Sequence, residues 1–168
     1  MENEKTLEEI MNMLELQEDI LQFTHFTNED AWALGNLMVA EANKRELKVA
    51  IRIMLNNGLI LFQSMADGIT LTNQRWLQRK HNVVEYTESS TLYLYAKLKK
   101  TERTMADVFL DENEYANSGG GFPIRLENSG VIGSVCVSGM NHVLDHDFVV
   151  KCLAKYLHTD EVPRIREM

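Results

Sequence analysis

A run of three glycines, Gly119-Gly120-Gly121, continued by Phe122-Pro123-Ile124, constrains this chain more than any other stretch. Glycine enters backbone conformations closed to other residues, so the run marks a sharp turn ahead of the short strand that follows it. A second extended segment comes at once: Val131-Ile132-Gly133-Ser134-Val135-Cys136-Val137-Ser138-Gly139. Its Gly133 stands where a neighbouring backbone or a ligand approaches closely. The pattern fixes architecture, and no complete catalytic signature accompanies it.

The remaining segments read as helices around more strand. Thr6 and Glu9 form a capping-box pattern for an amphipathic helix with Ile10, Met13, Leu14, Gln17, Ile20 and Leu21 at helical spacing. Its apolar stripe calls for a partner. Thr27 caps a second helix through Trp32, Leu34, Leu37 and Met38 toward Lys44, so the two helices form an αα unit or clamp another subunit. Leu47, Val49, Ile51, Ile53 and Leu55 alternate with Lys48, Ala50, Arg52 and Met54 as in a strand with one apolar face. Asn57-Gly58 supplies a hairpin turn, and Leu59 to Met65 returns. Thr72 to about Val84 reads as a helix.

Between Ser89 and Lys100 the signals conflict. Leu92, Leu94, Ala96 and Leu98 alternate as in a strand, while Ser89 and Ser90 suit a helix cap. Asp107 to Asn117 reads as a short helix and loop, and a last helix starts near Asn141, burying Leu144, Phe148, Cys152, Leu153 and Tyr156. A chain of 168 residues that is 45% hydrophobic supports one core, hence a single domain over 1–168, with an N-terminal helix in 1–24 and a core in 25–168.

A net charge of -8 disfavours nucleic-acid phosphates and anionic membranes as partners. No apolar run reaches the roughly 20 residues needed to span a bilayer, and Met1-Glu2-Asn3-Glu4-Lys5 is acidic rather than a basic leader, so a cytoplasmic location is expected. Cys136 and Cys152 lack CxxC spacing and read as reduced core thiols.

Several residues are candidates for chemistry. His142 and His146, four apart on the last helix, could share a face and bind a metal; the alternative is a surface and helix-capping role beside Asp145 and Asp147. The glycine run could cradle an anion with backbone N–H groups, but it lacks the Walker lysine and the Rossmann spacing, and a structural turn is the alternative. Cys136 has no activating base nearby in sequence. Arg75, Arg79 and Lys80 form a basic patch around Trp76, read as an anion clamp, a subunit contact or a solvated helix face.

Gly120-Gly121-Phe122-Pro123-Ile124, Val131-Ile132-Gly133, Val137-Ser138-Gly139 and Asp145-His146 together resemble the GlcG/HbpS-like superfamily, the haem-degrading domain. Thr72-Asn73, Trp76, Arg79-Lys80, Asn82 and Ser89-Ser90, with Glu29-Asp30-Ala31 and Leu34-Gly35, are similar to an uncharacterised bacterial and fungal branch of it. The likeness runs over roughly residues 15 to 158. It implies an α/β sandwich of the profilin-like or PAS-like kind, an antiparallel sheet with helices packed around it. It also implies homo-oligomers and, for some relatives, haem or corrinoid-linked ligands. The wider superfamily often carries Lys-x-Arg-Thr in its central helix, and this chain departs from that pattern with Lys80-His81-Asn82-Val83.

Two functions are expected from these readings. The first is an oligomeric, non-catalytic protein that binds haem or another flat anionic ligand between the sheet, the Trp76 helix and the glycine loop, using Trp76, Arg79, Lys80, Gly120, Gly121 and Phe122. Haem iron would then be met by His142 or His146, or by His25 or His81. The second is an interaction or assembly module without a cofactor.

Overall fold

The computed structural model describes residues 5–168; the acidic start at Met1 to Glu4 lies outside them. Helix α1 (Leu7–Ile20) begins at the expected capping box, in which Glu9 N donates to Thr6 Oγ1 at 3.2 Å and Thr6 N to Glu9 Oε2 at 2.7 Å. Helix α2 (Asn28–Lys44) repeats the device with Thr27 and Asp30. Strands β1 (Ala50–Leu55) and β2 (Ile60–Met65) form the hairpin, with Gly58 at φ +95° in the turn. Helices α3 (Leu71–Thr87) and α4 (Thr91–Thr101), strands β3 (Gly121–Arg125) and β4 (Val131–Ser138), and α5 (His142–Tyr156) complete the order.

The sheet is antiparallel in the order β2-β1-β4-β3. β3 is therefore an edge, where Pro123 costs no ladder hydrogen bond that a central strand would need. Helices α2 and α5 cover one face, meeting Ile51, Ile53, Val135 and Val137, and α3 covers the other at Ala50 and Cys136. This is the expected α/β sandwich.

Covering both faces changes the reading of β1. The expected single apolar face becomes a strand buried on both sides, and Arg52 is 4% exposed. Its guanidinium donates to Gln63 Oε1 at 2.7 Å and to Gln78 Oε1 at 3.1 Å. β1 also starts later than its alternation suggests, because Leu47 closes α2: its N–H donates to Ala42 O at 2.8 Å, with Glu46 left-handed at φ 54°.

The ambiguous segment is helix α4, capped by Ser90, whose Oγ accepts from Tyr93 N at 3.3 Å. Its strand-like alternation has a helical cause. Leu92 and Ala96 pack toward α1, whereas Leu94 and Leu98 pack with Val83, Met105 and Leu110, giving two i, i+4 stripes on different sides of one helix.

Two expectations are corrected here. The stripe of α1 finds its first partner in α4 rather than in α2: Ile10 and Leu14 are covered by Leu92 and Ala96 of α4, Val143 and Ile165, while Leu21, just past the helix, joins the cluster that holds Ala31, Leu34 and Met38 of α2. Leu144 is 41% exposed, whereas Phe148, Cys152 and Leu153 are buried as expected, in an arc that also takes in Val143, His146, Val149 and Val150. Cys136 and Cys152 are buried free thiols, as expected. Among the described residues no helix is long and apolar enough to cross a membrane.

Candidate functional site

Along α3, Asn73, Trp76 and Lys80 fall at i, i+3 and i+7, one face of the helix. That face looks across the C-terminal end of β4 to the first turn of α5. Thr72, Asn73, Trp76 and Lys80 from α3, Ser118, the β4 end and turn Ser138-Gly139-Met140, and His142 and Asp145 line a cleft of about 290 Å³. Asn73 ties two of its walls together by donating to Ser138 Oγ at 3.3 Å.

Lys80 is the floor of this cleft and is 2% exposed. Its Nζ donates to Val137 O at 2.7 Å and to Asp145 Oδ2 at 3.1 Å, while Asp145 Oδ1 accepts from Met140 N at 2.9 Å. Burial pushes the lysine below its usual range, opposed by Asp145, and pushes the Asp145 carboxyl up, opposed by Lys80 and the Met140 N–H. An ammonium carries three N–H donors, and two are spent on protein acceptors.

The glycine run closes over this lysine. A Cβ on Gly120, whose φ is +122°, would stand 2.6 Å from Lys80 Nζ and 2.5 Å from Val137 O, so only glycine lets the loop approach. Gly119 N donates to His142 Nδ1 at 3.0 Å and Gly121 N to Thr91 Oγ1 at 3.0 Å. Gly120 and Gly121 shape the wall beside Lys80 and are not among the residues that line the cleft, and the Gly119 and Gly121 N–H groups are engaged within the loop's own packing. Phe122 is also off the lining, 1% exposed in the core with its ring 5.9 Å from that of His146.

The basic patch divides. One residue along a helix is a rotation of about 100°, so Lys80 turns inward while Arg75 and Arg79 stay outside. Arg79 stacks its guanidinium 3.7 Å from the Trp76 ring centroid and donates to Glu112 O at 2.9 Å. It props the tryptophan that lines the cleft.

His142 and His146 each have one ring nitrogen engaged by another residue. An amide N–H can only donate, so His142 Nδ1, accepting from Gly119, holds a lone pair and the neutral ring keeps its proton on Nε2. Burial and the charges of Lys80 and Lys99 depress its pKa, favouring that neutral form. His146 is fully buried. Gln17 donates through Nε2 to Pro163 O at 2.7 Å, which orients its Oε1 to accept from His146 Nε2 at 2.8 Å; among the described residues the His146 Nδ1 has no partner. Among the described residues no three His, Cys, Asp or Glu side chains converge as metal ligands. His81 Nδ1 lies 2.7 Å from Ser134 Oγ under the sheet, and His25 is on the surface beside Asp30.

Burial pushes the His146 pKa down to about 3, from 6.5. The unfolded chain therefore takes up a proton that the folded chain refuses, and stability falls as the pH drops from the unfolded value toward the folded one. Between pH 7 and pH 5 this ring should cost the wild type about 1–2 kcal/mol. Urea melts of wild type and His146→Gln should show their stability gap shrinking by that amount over the same step; a constant gap would contradict a neutral, buried His146.

The sequence did not reveal that Lys80 and Asp145, 65 positions apart, form the ion pair beneath the cleft. The available signal was phase: Lys80 falls in register with Leu77 and Val84, the buried stripe of α3.

Comparison with known proteins agrees with this architecture. The family model described as haem degrading protein HbpS-like matches residues 26–154. A UPF0303 protein of Streptomyces avermitilis is 41% identical over 145 residues, covering 86% of this chain and 88% of that protein. The crystal structure of the Ybr137w protein superposes with a TM-score of 0.82 at 30% identity, over 90% of this chain and 94% of that one. The structure of a PduOC:heme complex shares the fold, with a TM-score of 0.63 at 15% identity, over 77% and 93% of the two chains. Since the family model spans both strands of the glycine-bearing unit and all of α2 to α4, the chain belongs to the HbpS-like family of haem-degrading-type proteins.

Proposed function

We propose that this protein binds a small anionic ligand, without transforming it, by receiving a carboxylate in the cleft above Lys80. The observation that carries this reading is the buried ammonium at the cleft floor, with two of its three N–H groups spent on acceptors among the described residues. A charge-assisted hydrogen bond from such a donor contributes about 1.5–3 kcal/mol. Trp76 offers an aromatic wall for a flat ligand, and the His142 Nε2–H is a second donor on the lining residues.

The family and the haem-bound neighbour make haem the first ligand to consider. The residues present fit its propionates and not its iron. His142 has its lone pair on Gly119, and His81 and His146 are buried away from the lining. A cleft of about 290 Å³ also stands at the lower limit of ligand pockets, roughly 300–1,000 Å³, which suits one end of a macrocycle. Haem bound here would supply a flat, dianionic surface, and Lys80 and Trp76 would be the residues that receive it.

A binding role agrees with the chemistry of the lining. The His142 lone pair is not free to serve as a base, and the Cys136 thiol is buried and pushed up to about 11. Self-association, with this cleft repeated in each copy, is part of the proposal.

The test uses fluorescence. The chain has two tryptophans, so a Trp32→Phe background leaves Trp76 as the reporter in the cleft. Haemin and iron-free protoporphyrin should both quench it to saturation at one per chain, and His142→Ala should bind like its parent. Haem dimethyl ester, with its propionates blocked, should bind about tenfold or more weakly. Equal binding of the ester, or quenching that never saturates, would refute carboxylate recognition at Lys80.

A further inference from the structure

The segment between α4 and β3 holds a feature that the cleft does not use. A single 3-10 turn, Ala106–Val108, ends at Phe109, whose side chain is 94% exposed and whose backbone is left-handed at φ 63°. A bulky residue takes that conformation at a cost of about 1–2 kcal/mol, so the surrounding structure must impose it. It does so on both sides. Thr104 N donates to Asp107 Oδ2 at 2.8 Å and Asp107 N to Thr104 Oγ1 at 3.2 Å, while Met105 and Leu110 are buried and joined by Leu110 N to Met105 O at 3.0 Å. The ring is thus held outward on a braced turn.

Immediately beside this projecting ring is a hollow. Val108 and Leu110, its two chain neighbours, line an apolar groove of about 180 Å³ with Tyr86, Thr87, Leu94 and Leu98. Phe109 does not fill it. Basic side chains rim the groove, Lys97 and Arg103, while the turn that bears the ring is acidic at Asp107, Asp111, Glu112 and Glu114. Among the described residues neither Lys97 nor Arg103 has an ion-pair partner within 4.0 Å.

We propose that this face is a two-fold contact between copies of the chain, in which Phe109 of each copy enters the groove of the other. A knob and a hole on one face close into a symmetric pair, because the same rotation that seats the first ring seats the second. The charges favour the same occupant. A two-fold operation brings the acidic turn of one copy to the basic groove rim of the other, the complementarity that selects a second copy over an unrelated apolar segment. An aromatic anchor entering a desolvated pocket is also the side chain type that dominates interface energies.

Sedimentation equilibrium of the full chain from about 1 to 100 μM tests this. The wild type should associate, and Phe109→Glu should halve the mass of the assembly or raise its dissociation constant at least about 30-fold. Phe109→Leu should retain most of the association, and added salt should weaken it. Thermal unfolding of Phe109→Glu should match that of wild type at concentrations where both are dissociated, since the ring makes little contact within its own chain. Haemin quenching of Trp76 in Phe109→Glu should also match its parent, which separates failure here from failure of the cleft. A monomeric wild type at 100 μM, or a Phe109→Glu assembly of unchanged mass and affinity, would overturn the proposal.

Discussion

Asp145→Ala is expected to lower stability by about 3–5 kcal/mol, read as a shift of the urea midpoint. The carboxylate is 2% exposed, lies 3.1 Å from Lys80 Nζ and accepts from Met140 N. Among the described residues its removal leaves the buried ammonium with the Val137 carbonyl alone as acceptor, and also frees the Met140 N–H at the entry to α5. Losing one partner of a buried pair costs more than losing both, because the surviving charge keeps its desolvation penalty. The double variant Lys80→Met, Asp145→Leu should therefore be more stable than Asp145→Ala alone, while losing the ligand response of Trp76. Were the single variant as stable as wild type, the pair would have no role in holding the cleft.

Gly133→Ala should be nearly as damaging, at about 3 kcal/mol. Here the argument is distance. A Cβ on Gly133 would stand 2.3 Å from Met54 O and 3.0 Å from Leu55 Cα, and both atoms are backbone of the neighbouring strand β1. No rotamer change can relieve that contact, so β1 and β4, the two central strands, must part. Gly58→Ala is the control. It carries the left-handed φ of +95° but has nothing within 4 Å of its Cβ, and should cost about 1–2 kcal/mol. A Gly133→Ala loss no larger than that of Gly58→Ala, compared by chemical denaturation, would show that the two strands accommodate the added carbon and that close approach does not require glycine there.

Helix starts were legible because capping is local. Thr6, Thr27 and Asn141 each place an oxygen where the first turn's N–H groups need one, whatever packs later. The Asn57-Gly58 hairpin and the glycine run before β3 belong to the same class, since φ preferences act over one or two residues. The resemblance to the family rested on such local signatures as well. α4 was not legible, because burial on two sides gives Leu92, Leu94, Ala96 and Leu98 the spacing of a strand.

The site divides along the same line. The chain's own pattern identified Trp76 and Lys80 as residues of interest, and the glycine loop as their neighbour. It could not say that Arg79 would prop the tryptophan from outside while Lys80 turned inward, nor that His142 and His146 would spend their nitrogens on Gly119 and Gln17. What the sequence determined by itself was every feature set by steric and hydrogen-bonding preferences over a few residues: the caps, the turns, and a glycine at Gly133 for close strand approach. Only the tertiary structure decided that Lys80 meets Asp145 across 65 positions, because a buried charge takes its partner from whichever segment the core brings to it.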